Sequence, residues 1–232
     1  MILSCTSLSS LLINPQRIHS FASDKILQVV MPSQLHECAA EWVHDMIVQA
    51  RMEGIIPQGW RGTMRIRHSP TYNNFVGKYR GRQKEADLTI IPLVGPDRVK
   101  KAKFPSVVLE SGWSETLAKL KGDARHWQVG SGQEVRVVLL VKFYQPNHQK
   151  RMRLDLFIKR ARPGGPPREF ERYPIFPAPE PPQQNPSISL DEFYAGDCPP
   201  TMDPEIRVPL DLVMLRVLAA LEIRERGNIP AE

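Results

Sequence analysis

The sequence predicts an α/β domain: a mixed β-sheet flanked by helices, in the order helix, strand, strand, strand, helix, strand. Three observations carry this expectation. Leu35, Ala39, Trp42, Val43, Met46, Ile47 and Ala50 recur at helical spacing. A β-branched segment at Ser106 to Ser111 runs directly into a second helical stripe, Leu117, Leu120, Ala124 and Trp127. Val135 to Phe143 is nearly continuous apolar, the pattern of a strand buried on both faces.

In chain order, the first helix is expected from Ser33 to Met52, with Pro32 and Ser33 at its start and Gly54 at its stop. Met64 and Ile66 alternate, Asn73 and Asn74 mark a turn, and Ala86 to Ile91 forms a strand closed by Pro92, together an antiparallel pair. After the strand at Ser106 to Ser111, Ser114 is the expected helix cap, and His126 falls opposite the apolar stripe, where it should be exposed. The central strand is followed by another, Met152 to Ile158. Nine prolines between 163 and 186 suggest an extended connector without regular structure. Leu210 to Ile223 is the closing helix. The expected organisation is a disordered leader over residues 1–30, then one domain over 31–232 that carries the proline-rich insertion 163–186.

With 232 residues, 41% hydrophobic and 24% charged, the chain has enough apolar material for one sizeable core, which argues against a fibrous or disordered protein. No apolar run approaches the roughly 18 residues of a membrane span, so no membrane partner is expected. Cys5, Cys38 and Cys198 lie far apart, without disulfide-framework or zinc spacing. They fit a reducing, intracellular setting, nuclear or cytoplasmic. Residues 1–23, which lack acids and are rich in Ser and Leu, leave an organellar presequence as the alternative. Neither a phosphate-binding GxxxxGK[ST] loop nor a Ser/His/Asp arrangement is evident.

Lys and Arg total 31 against 25 Asp and Glu, and the excess is concentrated. From Arg61 to Lys84 there are seven basic residues and no acid, and Lys142 to Arg162 holds seven against Asp155 alone. Such segments favour a polyanionic partner. Arg65, Arg67, Lys78, Arg80 and Arg82 are the candidate phosphate contacts, with Tyr72, Phe75 and Tyr79 interleaved among them. Phe75 reads better as a core residue.

Asp87 and Glu110 sit on consecutive apolar strands, where an unpaired charge is costly. On neighbouring strands they would converge on one Mg²⁺, which takes one or two carboxylates plus water and phosphate oxygens and assists phosphoryl displacement. Their plainer reading is that they cap strand ends or pair with nearby Lys and Arg.

Lys84-Glu85-Ala86-Asp87, Phe104 to Glu115 (FPSVVLESGWSE), Leu120 to Trp127 (LKGDARHW) and the apolar strand ending at Lys142 together resemble the PD-(D/E)xK nuclease superfamily, in particular its uncharacterised fungal members. The match covers about residues 33 to 160. It implies a restriction-endonuclease-like fold and metal-dependent hydrolysis of nucleic acid, DNA first, with Mg²⁺ or alternatively Mn²⁺. By position, Asp87 and Glu110 match the metal ligands, and Ala86 stands where proline is usual. Gly112 occupies the position of the motif lysine. Lys84, Lys121 and Lys142 are the candidate replacements; Lys142, at the end of an apolar strand, is preferred, while each also reads as a solvated or snorkelling lysine. The first helix of such folds often adds an acid, for which Glu37 or Glu41 would serve. Asp123 reads as a structural acceptor and Trp127 as core. The alternative function is a catalytically degenerate fold that binds nucleic acid or protein.

Overall fold

The structure, a computed structural model, describes residues 17–21, 26–30, 34–165 and 168–232. The expected leader falls largely outside the described residues; within it, Arg17–Phe21 and Ile26–Val30 pair as an antiparallel hairpin. The main body is built on α1 (Gln34–Met52), β1 (Met64–His68), β2 (Leu88–Val94), β3 (Val107–Gly112), α2 (Leu117–Gly130), β4 (Val137–Phe143), β5 (Leu154–Arg160), β6 (Glu171–Phe176) and α3 (Leu212–Glu225). The six strands lie in the order β6-β5-β4-β3-β2-β1, and the short strand Lys100–Lys101 adds to the end of β2. Within this sheet only β3 and β4 pair in parallel, joined by the α2 crossover that a parallel connection requires. The result is a mixed α/β sheet flanked by helices, as the sequence predicts.

Alternation along the strands divides the core. Leu88, Ile90, Val107, Leu109, Val137, Leu139 and Val141 face one layer with the apolar stripe of α1 and with Leu215, Ala219 and Ile223 of α3. Val108, Val138, Leu140 and Phe157 face the other layer with Leu120, Ala124 and Trp127 of α2. With helices on both faces, β4 has no solvent side, which explains its unbroken apolar run. Trp42 ties the first layer together by donating its indole N–H to the carbonyl of Asp211 at 2.7 Å. The Asp211 carboxylate caps α3 by accepting from the amides of Val213 and Met214.

Four local expectations are corrected. Pro92 does not close β2 but sits within it opposite Met64; β3 pairs only with Leu88–Ile90, so the strand has left its central neighbour before the missing N–H is needed. Thr116, not Ser114, caps α2, its hydroxyl accepting from the amide of Lys119 at 3.2 Å. The proline-rich insertion contains β6, which pairs antiparallel with β5; Pro174 is tolerated there because β6 is an edge strand and the register shifts beside it. His126 is buried, for the reason given below. No helix among the described residues is long and apolar enough to cross a membrane.

Candidate functional site

Asp87 lies just before β2, and its amide donates to the carbonyl of Leu109, which fixes it beside the C-terminal half of β3. Its Oδ2 accepts from the backbone amide and the hydroxyl of Ser111, both at 2.6 Å. Glu110, one residue earlier on β3, faces the α2 layer, because alternate residues of a strand point to opposite faces. There its Oε1 accepts from the indole N–H of Trp127 at 2.6 Å and meets Lys84 Nζ at 3.1 Å. Lys84 Nζ also lies 3.3 Å from Asp123 Oδ1. Two carboxylates, Glu110 and Asp123, thus flank one ammonium group, and the charge of Asp87 is felt by Glu110, in a site where Asp87 and Glu110 are each only 8% exposed.

The electrostatics follow from that crowding. Burial is the largest influence on Glu110 and pushes its carboxyl up to about 7; the charge of Lys84 and the Trp127 hydrogen bond pull down, while Asp87 and Asp123 push up. Burial pulls the Lys84 ammonium down, but the charges and hydrogen bonds of Glu110 and Asp123 outweigh it and hold the group above the usual lysine value.

The three lysines have separate fates. Lys84 is in the carboxylate cluster. Lys142, abreast of Gly112 across the parallel pair, donates to the carbonyls of Trp113 and Glu115 at 2.7 and 2.6 Å and so anchors the loop between β3 and α2. Lys121 points elsewhere, its Nζ 5.0 Å from the ring centroids of both Phe157 and Phe170. The space over Gly112 belongs to Leu120, whose Cδ1 would lie 2.7 Å from a Cβ built on that glycine. Glu37 and Glu41 are exposed on α1, and their charges are felt by Glu222 of α3 rather than by the cluster.

Arg65, Arg67, Lys78, Arg80 and Arg82 are all exposed. The last three belong to the segment that leads into Lys84. That segment is pinned to α2: Val76 donates its amide to the carbonyl of Gly130 at 2.7 Å, and Phe75 packs so closely that a Cβ on Gly130 would meet its ring at 2.8 Å. Tyr79 stacks on His126 with ring centroids 4.2 Å apart, and Phe75 covers it at 4.4 Å. This docking buries His126. Burial, then Lys84 and Arg82, lower the imidazole to about 4, and Nε2 has no hydrogen-bond partner among the described residues. Phe75 is buried as expected, whereas Tyr72 and Tyr79 are half-buried, with Lys78 and Arg82 over the Tyr79 ring at 5.2 and 5.5 Å.

Sequence reasoning gave Asp123 no part in the cluster and Trp127 no polar one. The signal was present, since Asp123 and Trp127 are four residues apart on α2 and share a face. Among the described residues no group of three or more His, Cys, Asp and Glu stands in metal-holding geometry. Comparison with protein-family models gives no match, and comparison with curated proteins gives none.

Proposed function

We propose that the chain is a metal-dependent nuclease of the PD-(D/E)xK, restriction-endonuclease-like kind, hydrolysing phosphodiester bonds of nucleic acid, DNA in the first instance. The observation that carries the reading is the meeting of Lys84 with Glu110 at 3.1 Å beside Asp87, which brings a lysine to the carboxylates although the motif position holds Gly112. Hard carboxylate oxygens in excess over the single ammonium fit Mg²⁺, with Mn²⁺ as the alternative. Such an ion supplies Lewis acidity and a water of lowered pKa. Asp87, held by Ser111, presents a fixed carboxylate. Glu110 keeps its contacts with Lys84 and Trp127 on Oε1, and its carboxylate would be the second ligand to a cation. Lys84 would orient the attacking water or hold a phosphate oxygen. The exposed cations from Arg65 to Arg82 would track the backbone.

A second reading has its own observation. Leu120 fills the place over Gly112 and Lys84 already neutralises Glu110, as expected of a degenerate fold kept for binding nucleic acid or protein. Cleavage of labelled single-stranded and duplex DNA with Mg²⁺, Mn²⁺ or EDTA separates the two. The nuclease requires metal-dependent cutting that is lost in Asp87→Ala and Glu110→Ala. Folded protein that binds equally well in EDTA and never cuts refutes it.

A further inference from the structure

At the opposite end of the sheet, where β4 begins and β5 ends, a cavity of about 590 Å³ has five arginines in its lining. Arg136 precedes Leu140, the partner of Glu110, by four residues, or about 13 Å of strand. The cavity is therefore separate from the carboxylate cluster. We propose that it binds a small phosphorylated ligand of about nucleotide size.

Five arginines line it, Arg136, Arg160, Arg162, Arg168 and Arg207, against three acids. Two of those acids are already committed. Arg160 donates from Nε to Glu171 at 2.9 Å, from Nη1 to Glu192 at 2.6 Å and from Nη2 to the carbonyl of Ser187 at 2.7 Å, so this floor carries one carboxylate charge more than its guanidinium, and the excess of cations over the whole lining comes from the other four arginines. Arg162, Arg168 and Arg207 are exposed and form no ion pair among the described residues. Arg136 gives Nη2 to the carbonyl of Ala195 at 2.7 Å, while its Nε is shut away from solvent without an acceptor among the described residues. A buried N–H donor is normally satisfied, and here the missing partner is an acceptor.

The four arginines not neutralised by carboxylates come from three separate stretches of chain and converge on one concavity. Their planar donor forks match the oxygens of phosphate, and the volume lies within the range of small-ligand sites. A phosphate monoester or diphosphate carries enough charge and enough acceptors to engage several of them at once.

The test is calorimetric titration of the full chain with pyrophosphate, ADP and citrate. Wild type is compared with Arg207→Ala, Arg136→Gln and Asp87→Ala, with thermal melting to confirm folding. Saturable binding of pyrophosphate or ADP is expected, weakened about tenfold or more in the arginine variants, as loss of a charge-assisted hydrogen bond implies. It should be unchanged in Asp87→Ala, which keeps the result independent of the nuclease reading. Should Arg136→Gln fail to fold, the exposed Arg207 decides. The proposal is overturned by absence of saturable binding, by equal binding in folded Arg207→Ala, or by citrate binding as tightly as pyrophosphate.

Discussion

Leu120 stands over Gly112 so closely that its Cδ1 would be 2.7 Å from any Cβ placed there. Gly112 and Glu110 point to the same face of β3, so this is the space a motif lysine would enter. Helix α2 closes that space with an apolar side chain and brings Asp123 and Trp127 to the same layer, where Lys84 meets them from a different segment.

Placing a lysine there by Gly112→Lys is accordingly expected to cost stability without gaining cleavage. Overpacking of this kind costs about 1–3 kcal/mol, and Gly112→Ala should already show much of it. Combining Gly112→Ala with Leu120→Ala should destabilise less than the two losses added, because each change relieves the other. Denaturant melts of the four proteins measure this. Strict additivity would mean that Leu120 does not set the restriction.

The lysines are separable by different readouts. Lys84→Met should reduce metal-dependent cleavage by about 10²-fold or more while the protein stays folded, as loss of a fixed charge at a reacting centre does. Lys142→Met should instead lower stability, by about 1–3 kcal/mol, because two loop carbonyls lose their charged donor. Lys121→Met, which removes only contacts to Phe157 and Phe170, should cut at nearly the wild-type rate. If Lys142→Met abolished cleavage in fully stable protein, the role given to Lys84 would pass to Lys142.

Because the Glu110 carboxyl is pushed up to about 7, it is partly protonated at neutral pH, and on the proposed reading a cation held there would displace that proton. The rise in melting temperature on adding Mg²⁺ should therefore be larger at pH 8 than at pH 6, and absent in Glu110→Gln. Cleavage should climb across the same interval. A metal-induced shift that is the same at both pH values would remove Glu110 from the ligand set.

Much of this arrangement is legible in the chain. The stripe from Leu35 to Ala50, the double-sided apolar run of β4 and the strand-to-helix order at Val107 to Trp127 identify the layers, because burial imposes their periods. Asp87 and Glu110 stand out because charge in an apolar strand needs a partner. Which lysine provides that partner is not a local property. It depends on the docking of the segment Phe75 to Lys84 against α2 through Gly130 and the Tyr79–His126 stack, contacts between residues some fifty positions apart in sequence. For the same reason the helical period of α2 assigned His126 to solvent, although a loop from another part of the chain covers it. Edge strand β6 was hidden by proline composition, since only its place at the sheet margin makes Pro174 acceptable.

His126 and Glu110 impose opposite pH dependences on the fold. The imidazole titrates near 4 in the native state against 6.5 when unfolded. Folding thus disfavours its charged form, and the stability it contributes above pH 6.5 is lost as pH falls towards 4. Glu110 titrates near 7 in the native state against 4.5 when unfolded, so its contribution is fully present below 4.5 and is lost as pH rises through 7. Each effect is on the order of 3 kcal/mol, and over the shared interval they oppose one another. Wild type should therefore vary little in stability between pH 7 and pH 4.5. His126→Phe, which keeps a ring against Tyr79 and Phe75 and removes the unpartnered Nε2, should become more stable as pH falls. Glu110→Gln should become less stable over the same range. Denaturant melts at a few pH values decide this, and parallel profiles for wild type and His126→Phe would show that the docked loop does not hold the imidazole neutral.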